Sequence, residues 1–74
     1  MNRLPTLLPK DVISALKKAG FYEVRQSGSH VLLHKKENNL TTIVPLHTGD
    51  LPRPLLKQIL KQAKLTESEF RKLI

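Results

Sequence analysis

The chain has no cysteine and no tryptophan, and its only aromatic residues are Phe21, Tyr22 and Phe70. Without cysteine no disulfide can brace the fold and no thiolate can hold zinc; this usage fits a reducing cytosol, so a cytoplasmic protein is expected. With so few aromatic side chains, the core must be built mostly from Leu, Ile and Val. Acidic residues are also scarce: six Asp and Glu stand against thirteen Lys and Arg, giving a formal charge of +7. That supply provides no carboxylate cluster suited to a two-metal nuclease. No apolar run approaches the roughly 20 residues that span a bilayer, so no membrane partner is expected. The opening segment, interrupted by Pro5 and Pro9, lacks the apolar stretch and cleavage site of a signal peptide, and residues 1–8 read as a short lead-in.

What remains is one domain of 74 residues, 39% hydrophobic, a size at which a modest single core can still fold alone. Its positive charge has three readings: a polyanionic ligand, an acidic protein partner, or a merely solvated basic surface. The first is favoured, because steering phosphate is a common use of such a field. Charge alone does not distinguish RNA from DNA.

Hydrophobic periodicity gives the element order. Val12, Ile13, Leu16 and Ala19 follow a helical spacing. Pro9 suits the first helical position, Asp11 the positive end of the macrodipole, and Lys17 and Lys18 the negative end. Gly20 ends this helix over residues 9–19. Three short strands follow at 21–26, 30–35 and 40–46, broken by Ser27-Gly28 and by Glu37-Asn38-Asn39. In the middle strand Val31, Leu33 and Lys35 point one way, and His30, Leu32 and His34 the other. Pro45 cannot donate to a ladder, so the third strand should lie at an edge or fray there. A second helix is expected over residues 54–64, with Leu56, Ile59, Leu60 and Ala63 as its apolar stripe and Lys57, Lys61 and Lys64 as a basic one. Thr66 and Glu69 form a capping-box pair that opens a short C-terminal helix.

The order is therefore α-β-β-β-α, an α+β layout like that of double-stranded-RNA-binding domains. It predicts a three-stranded antiparallel sheet with two helices on one face and a short C-terminal helix. The other sheet face is left open to solvent or to a partner.

The chemistry-bearing residues gather around Gly28-Ser29-His30. Histidine titrates near neutral pH and can give or take a proton. By placement alone, His30 is either a strand-end histidine held by a backbone hydrogen bond or a proton-transfer residue. Gly28 permits a tight turn; Ser29 either orients the imidazole, binds phosphate or is a plain turn serine. Arg25 either forks onto a phosphate or pairs across strands with a carboxylate. His34 shares the face of His30, so a His–His acid/base pair is weighed, with an exposed strand histidine the preferred reading. His47 either contacts RNA or ends the third strand. Lys57 and Lys61 are a phosphate-binding face or a solvated one, and Tyr22 either stacks on a base or packs. No metal site is expected, since the His30–His34 spacing suits a helix rather than an extended strand. No cofactor is expected either.

The block Gly20-Phe21, Arg25-Gln26-x-Gly28-Ser29-His30, Val44-Pro45-Leu46-His47 and Ile59-Leu60-Lys61-Gln62-Ala63 resembles the HicA-type toxins of toxin–antitoxin pairs. The resemblance spans about residues 10–70. It implies the same double-stranded-RNA-binding-like fold, a metal-independent mRNA endoribonuclease, a HicB-like antitoxin as partner, and His30 as the catalytic residue. On that reading Arg25, Gln26, Ser29, His47, Lys57 and Lys61 contact RNA. Two rivals stand beside it. One is a non-catalytic RNA-binding module of the same fold, disfavoured because Pro54-Leu55-Leu56-Lys57 replaces the expected Lys-Lys-x-x-x-Lys at the last long helix. The other is a domain that docks an acidic protein.

Overall fold

The computed structural model describes residues 6–46 and 49–74. The expected lead-in therefore lies largely outside the described residues, as does His47. The order is α1 (Pro9–Lys18), β1 (Tyr22–Ser27), β2 (His30–Lys35), β3 (Leu40–Pro45), α2 (Arg53–Ala63) and α3 (Glu67–Arg71). The sheet runs β1-β2-β3 with both pairs antiparallel, so β2 is central and Pro45 lies on an edge strand as its missing N–H requires.

Helix α1 begins with Pro9 at its first turn, and the Asp11 carboxylate accepts from the Leu8 N–H at 3.4 Å. Leucine offers no acceptor in return, so this is half a capping box. The helix ends at Gly20, whose φ of +107° is a conformation that L side chains rarely adopt. Val12, Ala15 and Leu16 of α1 meet Val31, Leu33 and Val44 of the sheet and Leu56, Ile59, Leu60 and Ala63 of α2 in one buried cluster. Strand β1 contributes no buried side chain. The core thus lies under β2 and β3, and β1 is held chiefly by its ladder to β2, with Lys17 and Glu23 forming a surface ion pair at 2.7 Å.

Helix α2 starts one residue earlier than its sequence suggests, with Pro52 as N-cap and Pro54 inside the first turn. Pro54 forfeits no intrahelical bond in the first turn and is tolerated there, and Arg53 is helical despite the steric bias against that conformation before a proline. The helix also stops earlier: Lys64 takes a left-handed conformation at φ +57° and ends it. The Leu65 N–H then bonds back to the Leu60 carbonyl at 2.9 Å, turning the chain so that Leu65 packs on the core. Lys64 consequently belongs to the turn, and only Lys57 and Lys61 remain on the helix.

The expected capping box at α3 is present in full. Thr66 Oγ1 accepts from the Glu69 N–H at 3.0 Å, and the Glu69 carboxylate accepts from the Thr66 N–H at 2.9 Å. It aims Phe70 into the core, where it is fully buried. The Thr66 backbone N–H, and then its hydroxyl, hold the Glu69 carboxyl below its ordinary value of 4.5. A carboxyl lowered in the folded state stabilises fully above its unfolded pKa and loses that contribution as pH falls through the folded value. Thr66→Ala should cost about 1 kcal/mol at neutral pH. The titrating half of the box is tested by Glu69→Gln, whose deficit relative to wild type should shrink well below pH 4.5, where the wild-type carboxyl is neutral too. Urea unfolding of wild type and both variants at the two pH values checks this; an undiminished Glu69→Gln deficit in acid would contradict it.

Candidate nucleic-acid interface

The open face of the sheet is organised in cross-strand rows. Ser27, His30 and Pro45 form the row beside the β1–β2 turn; Arg25, Leu32 and Ile43 form the next; Tyr22, His34 and Thr41 form the third. His30 occupies the centre of its row because it opens the middle strand directly after the Gly28-Ser29 turn. Gly28 takes φ +59° to make that turn. The Ser29 carbonyl accepts from the Leu46 N–H, tying the turn to the end of β3. The imidazole is exposed.

Arg25 reaches this face through a β-bulge. Tyr22 lies opposite His34 and Glu23 opposite Leu33, but Arg25, not Val24, lies opposite Leu32. In a regular strand, residues 22 and 25 would point to opposite faces. The extra residue, Val24, restores Arg25 to the side that carries His30 and Tyr22. Arg25, Ser27, His30, Leu32 and Ile43 line a shallow hollow of about 190 Å³. Arg25 makes no ion pair among the described residues, so the cross-strand carboxylate partner considered for it does not exist there.

A second hollow of about 200 Å³ adjoins the first, with His30, Ile43 and Pro45 on its sheet side and Leu55, Gln58 and Gln62 on its helix side. Gln62 is held by a 2.9 Å hydrogen bond that its side-chain oxygen accepts from the Thr42 hydroxyl, and Thr42 is buried on the inner face of β3. His30 lines both hollows, and Ile43 does too. The imidazole therefore borders both the hollow on the open face and the one between the β3 edge and α2.

The other sequence-predicted residues fall elsewhere. Gln26 lies opposite Val31, on the inner side of β1, and its amide donates to the Gly28 carbonyl at 3.2 Å, bracing the turn. Ser29 is exposed in the turn and lines neither hollow. Lys57 and Lys61 line a separate depression with Leu65, Thr66 and Glu67. At about 100° per residue the two lysines are centred roughly 110° round α2 from Leu55, Gln58 and Gln62, with Lys61 the nearer, one turn from Gln58. His34 is four residues beyond His30, roughly 13 Å of extended strand at about 3.3 Å per residue, so the two do not form an acid/base pair. Its Nδ1 instead lies 3.0 Å from the Thr41 hydroxyl. Among the described residues, no three His, Asp or Glu side chains are grouped as metal ligands would be.

Ser27, Leu32, Ile43, Gln58 and Gln62 were not singled out by sequence. Leu32 and Ile43 carried a signal nonetheless: they are apolar at alternate positions that must face away from the core. Gln62 entered only within the block that carries the resemblance and Gln58 not at all, because the side of α2 that meets β3 depends on how the helix is seated.

Fold and face together define a small basic domain of the double-stranded-RNA-binding-like class, with an imidazole and a guanidinium on its uncovered sheet. A family model described as the HicA toxin of bacterial toxin–antitoxin systems matches residues 9–65. The chain belongs to this family, and with it comes the role of toxin in a toxin–antitoxin pair. None of the curated proteins matches the chain. No helix among the described residues is long and apolar enough to cross a membrane.

Proposed function

We propose that this toxin is a metal-independent mRNA endoribonuclease in which His30 is the general acid/base. The observation that carries the reading is the placement of an exposed histidine between two hollows, with the Arg25 guanidinium lining one of them. RNA supplies its own nucleophile. Deprotonation of a 2′-OH lets that oxygen bond to the adjacent phosphorus while the P–O5′ bond breaks and the leaving 5′-oxygen takes up a proton. The products are a 2′,3′-cyclic phosphate and a 5′-hydroxyl. A placed imidazole contributes by moving one of these protons. Arg25, without a carboxylate partner, offsets the charge that builds on the phosphoryl oxygens. The family supports RNA as substrate and a HicB-like antitoxin as the partner that silences the toxin by covering this face; the charge of +7 suits both.

The test is incubation of folded, antitoxin-free wild type and His30→Ala with single-stranded RNA in excess chelator, followed by fragment and end-group mapping. Cleavage by wild type alone, leaving cyclic phosphate ends, is the expected result. Magnesium-dependent cleavage would contradict the mechanism. RNA that stays intact with wild type while binding in a salt-sensitive way would instead support the non-catalytic module.

The geometry also ranks the cations. Arg25→Gln should lower the cleavage rate on the order of 10-fold or more, as loss of a group that stabilises transition-state charge does. Lys57→Gln with Lys61→Gln should chiefly raise KM at moderate salt, because those charges act at a distance and are screened within about 10 Å at 0.1 M salt. Steady-state kinetics of the two variants decides; a larger kcat loss from the lysine pair would place the scissile phosphate elsewhere.

A further inference from the structure

Of the three aromatic side chains, Phe21 and Phe70 are buried in the core, whereas Tyr22 is 48% exposed on the open sheet face. Its ring meets that of His34 edge-on, with centroids 5.8 Å apart and planes at 80°. His34 is in turn anchored on the far side by its 3.0 Å contact with the Thr41 hydroxyl. These residues form a single cross-strand row, separated from the His30 row only by Arg25, Leu32 and Ile43.

We propose that Tyr22 and His34 form a base-binding subsite for single-stranded RNA, seating a nucleotide that neighbours the one cut at His30. The inference rests on the RNA reading above. Two nearly perpendicular rings make a corner in which a flat base stacks on one ring and meets the other with its edge. Exposed aromatics on a sheet surface hold unpaired bases in this way, and the stacking tolerates any base. The distance sets which nucleotide is bound: roughly 13 Å of strand separates His34 from His30, too far for the base of the nucleotide whose 2′-OH reacts. Charge selects the occupant. The intervening row carries Arg25, free of any ion pair among the described residues, and the whole chain carries +7, so a strand of phosphates crossing from one row to the next is complementary to the face. The β-bulge at Val24 is what brings the tyrosine, the arginine and the histidine to one side.

Tyr22 is the only tyrosine in a chain without tryptophan, so its fluorescence reports on this one site. The experiment titrates the His30→Ala protein, in which the strand stays whole, with a short labelled single-stranded RNA and with an abasic ribose-phosphate strand of equal length. Label anisotropy gives affinity, and tyrosine emission gives occupancy. The RNA is expected to quench Tyr22, and the abasic strand to bind more weakly without quenching. Tyr22→Leu should weaken RNA binding on the order of 10-fold, the usual effect of losing one stacked base. It should leave the abasic strand unaffected, while Tyr22→Phe should retain RNA binding. His34→Ala, whose fold is checked by circular dichroism, should weaken RNA selectively as well.

RNA binding with unchanged tyrosine emission would overturn the subsite, as would equal weakening of both strands by Tyr22→Leu. So would a Tyr22 response to an acidic antitoxin in a protein that does not bind RNA, which would make the face a protein-docking surface. The two readings fail separately. If Tyr22→Leu cleaves RNA with unaltered KM, the nuclease stands and the subsite falls. If RNA stays whole with wild type yet quenches Tyr22, the subsite stands and the nuclease falls.

Discussion

His30→Ala is expected to lower the rate of RNA cleavage by about 10²–10⁴-fold, the range over which one well-placed general acid or base contributes. The fold should survive, because the side chain is exposed and lies at the end of a strand whose core contacts are made by Val31 and Leu33. A circular dichroism spectrum and a urea midpoint close to wild type would separate lost chemistry from lost structure. Full cleavage by the variant would move the proton-transfer role to another group. Substitution by glutamine gives a sharper comparison. It retains polar contact with RNA but cannot shuttle a proton at neutral pH, so KM should change much less than kcat.

The second large effect concerns stability. Phe70 is fully buried, yet it lies on a five-residue helix beyond residues 9–65, the segment that matches the family. Phe70→Ala should cost about 3–5 kcal/mol, from lost transfer energy and the cavity left behind. Folded domains are commonly stable by only about 5–15 kcal/mol, with small ones at the lower end. The variant should therefore be substantially unfolded near 37 °C, or lose most of its urea midpoint. Urea denaturation followed by circular dichroism measures this. A midpoint within error of wild type would mean that α3 is an accessory and that the core closes without it. The comparison with Thr66→Ala is informative, because that change removes only the cap, about 1 kcal/mol, and leaves the phenylalanine.

Antitoxin pairing connects both effects. A partner that binds the folded toxin alone also stabilises it by mass action. With equal affinity for both proteins the deficit itself should persist, but Phe70→Ala should be mostly folded in the complex at a temperature where the free variant is not.

Much of this architecture was legible in the sequence because local signals agreed with one another. Pro9, Asp11 and Gly20 mark both ends of α1; the alternation in His30 to Lys35 assigns the faces of β2; Thr66 and Glu69 mark the start of α3. Each depends on residues a few positions apart, so chain order alone suffices to read them. His30 could be placed for the same reason: a glycine turn followed by an alternating strand puts it at a strand end, facing away from the core.

The remainder needed the tertiary structure. Alternation assigns a face only while the register is regular, and the bulge at Val24 exchanges the faces of the residues before and after it. By alternation alone, Arg25 and Tyr22 would fall on opposite sides of β1; the ladder to β2 places them together. The lysines on α2 show the converse. Their spacing defines a stripe, but only the seating of α2 against β3 reveals that Gln58 and Gln62, not Lys57 and Lys61, border the second hollow at His30. Lys64 leaves the stripe because Leu65 must turn back onto the core. The sequence by itself thus determined the elements, their order, and the histidine at the turn, since these follow from interactions between near neighbours in the chain. Which polar groups surround that histidine was decided only by folding, because strand register and helix seating are set by contacts between residues distant in sequence.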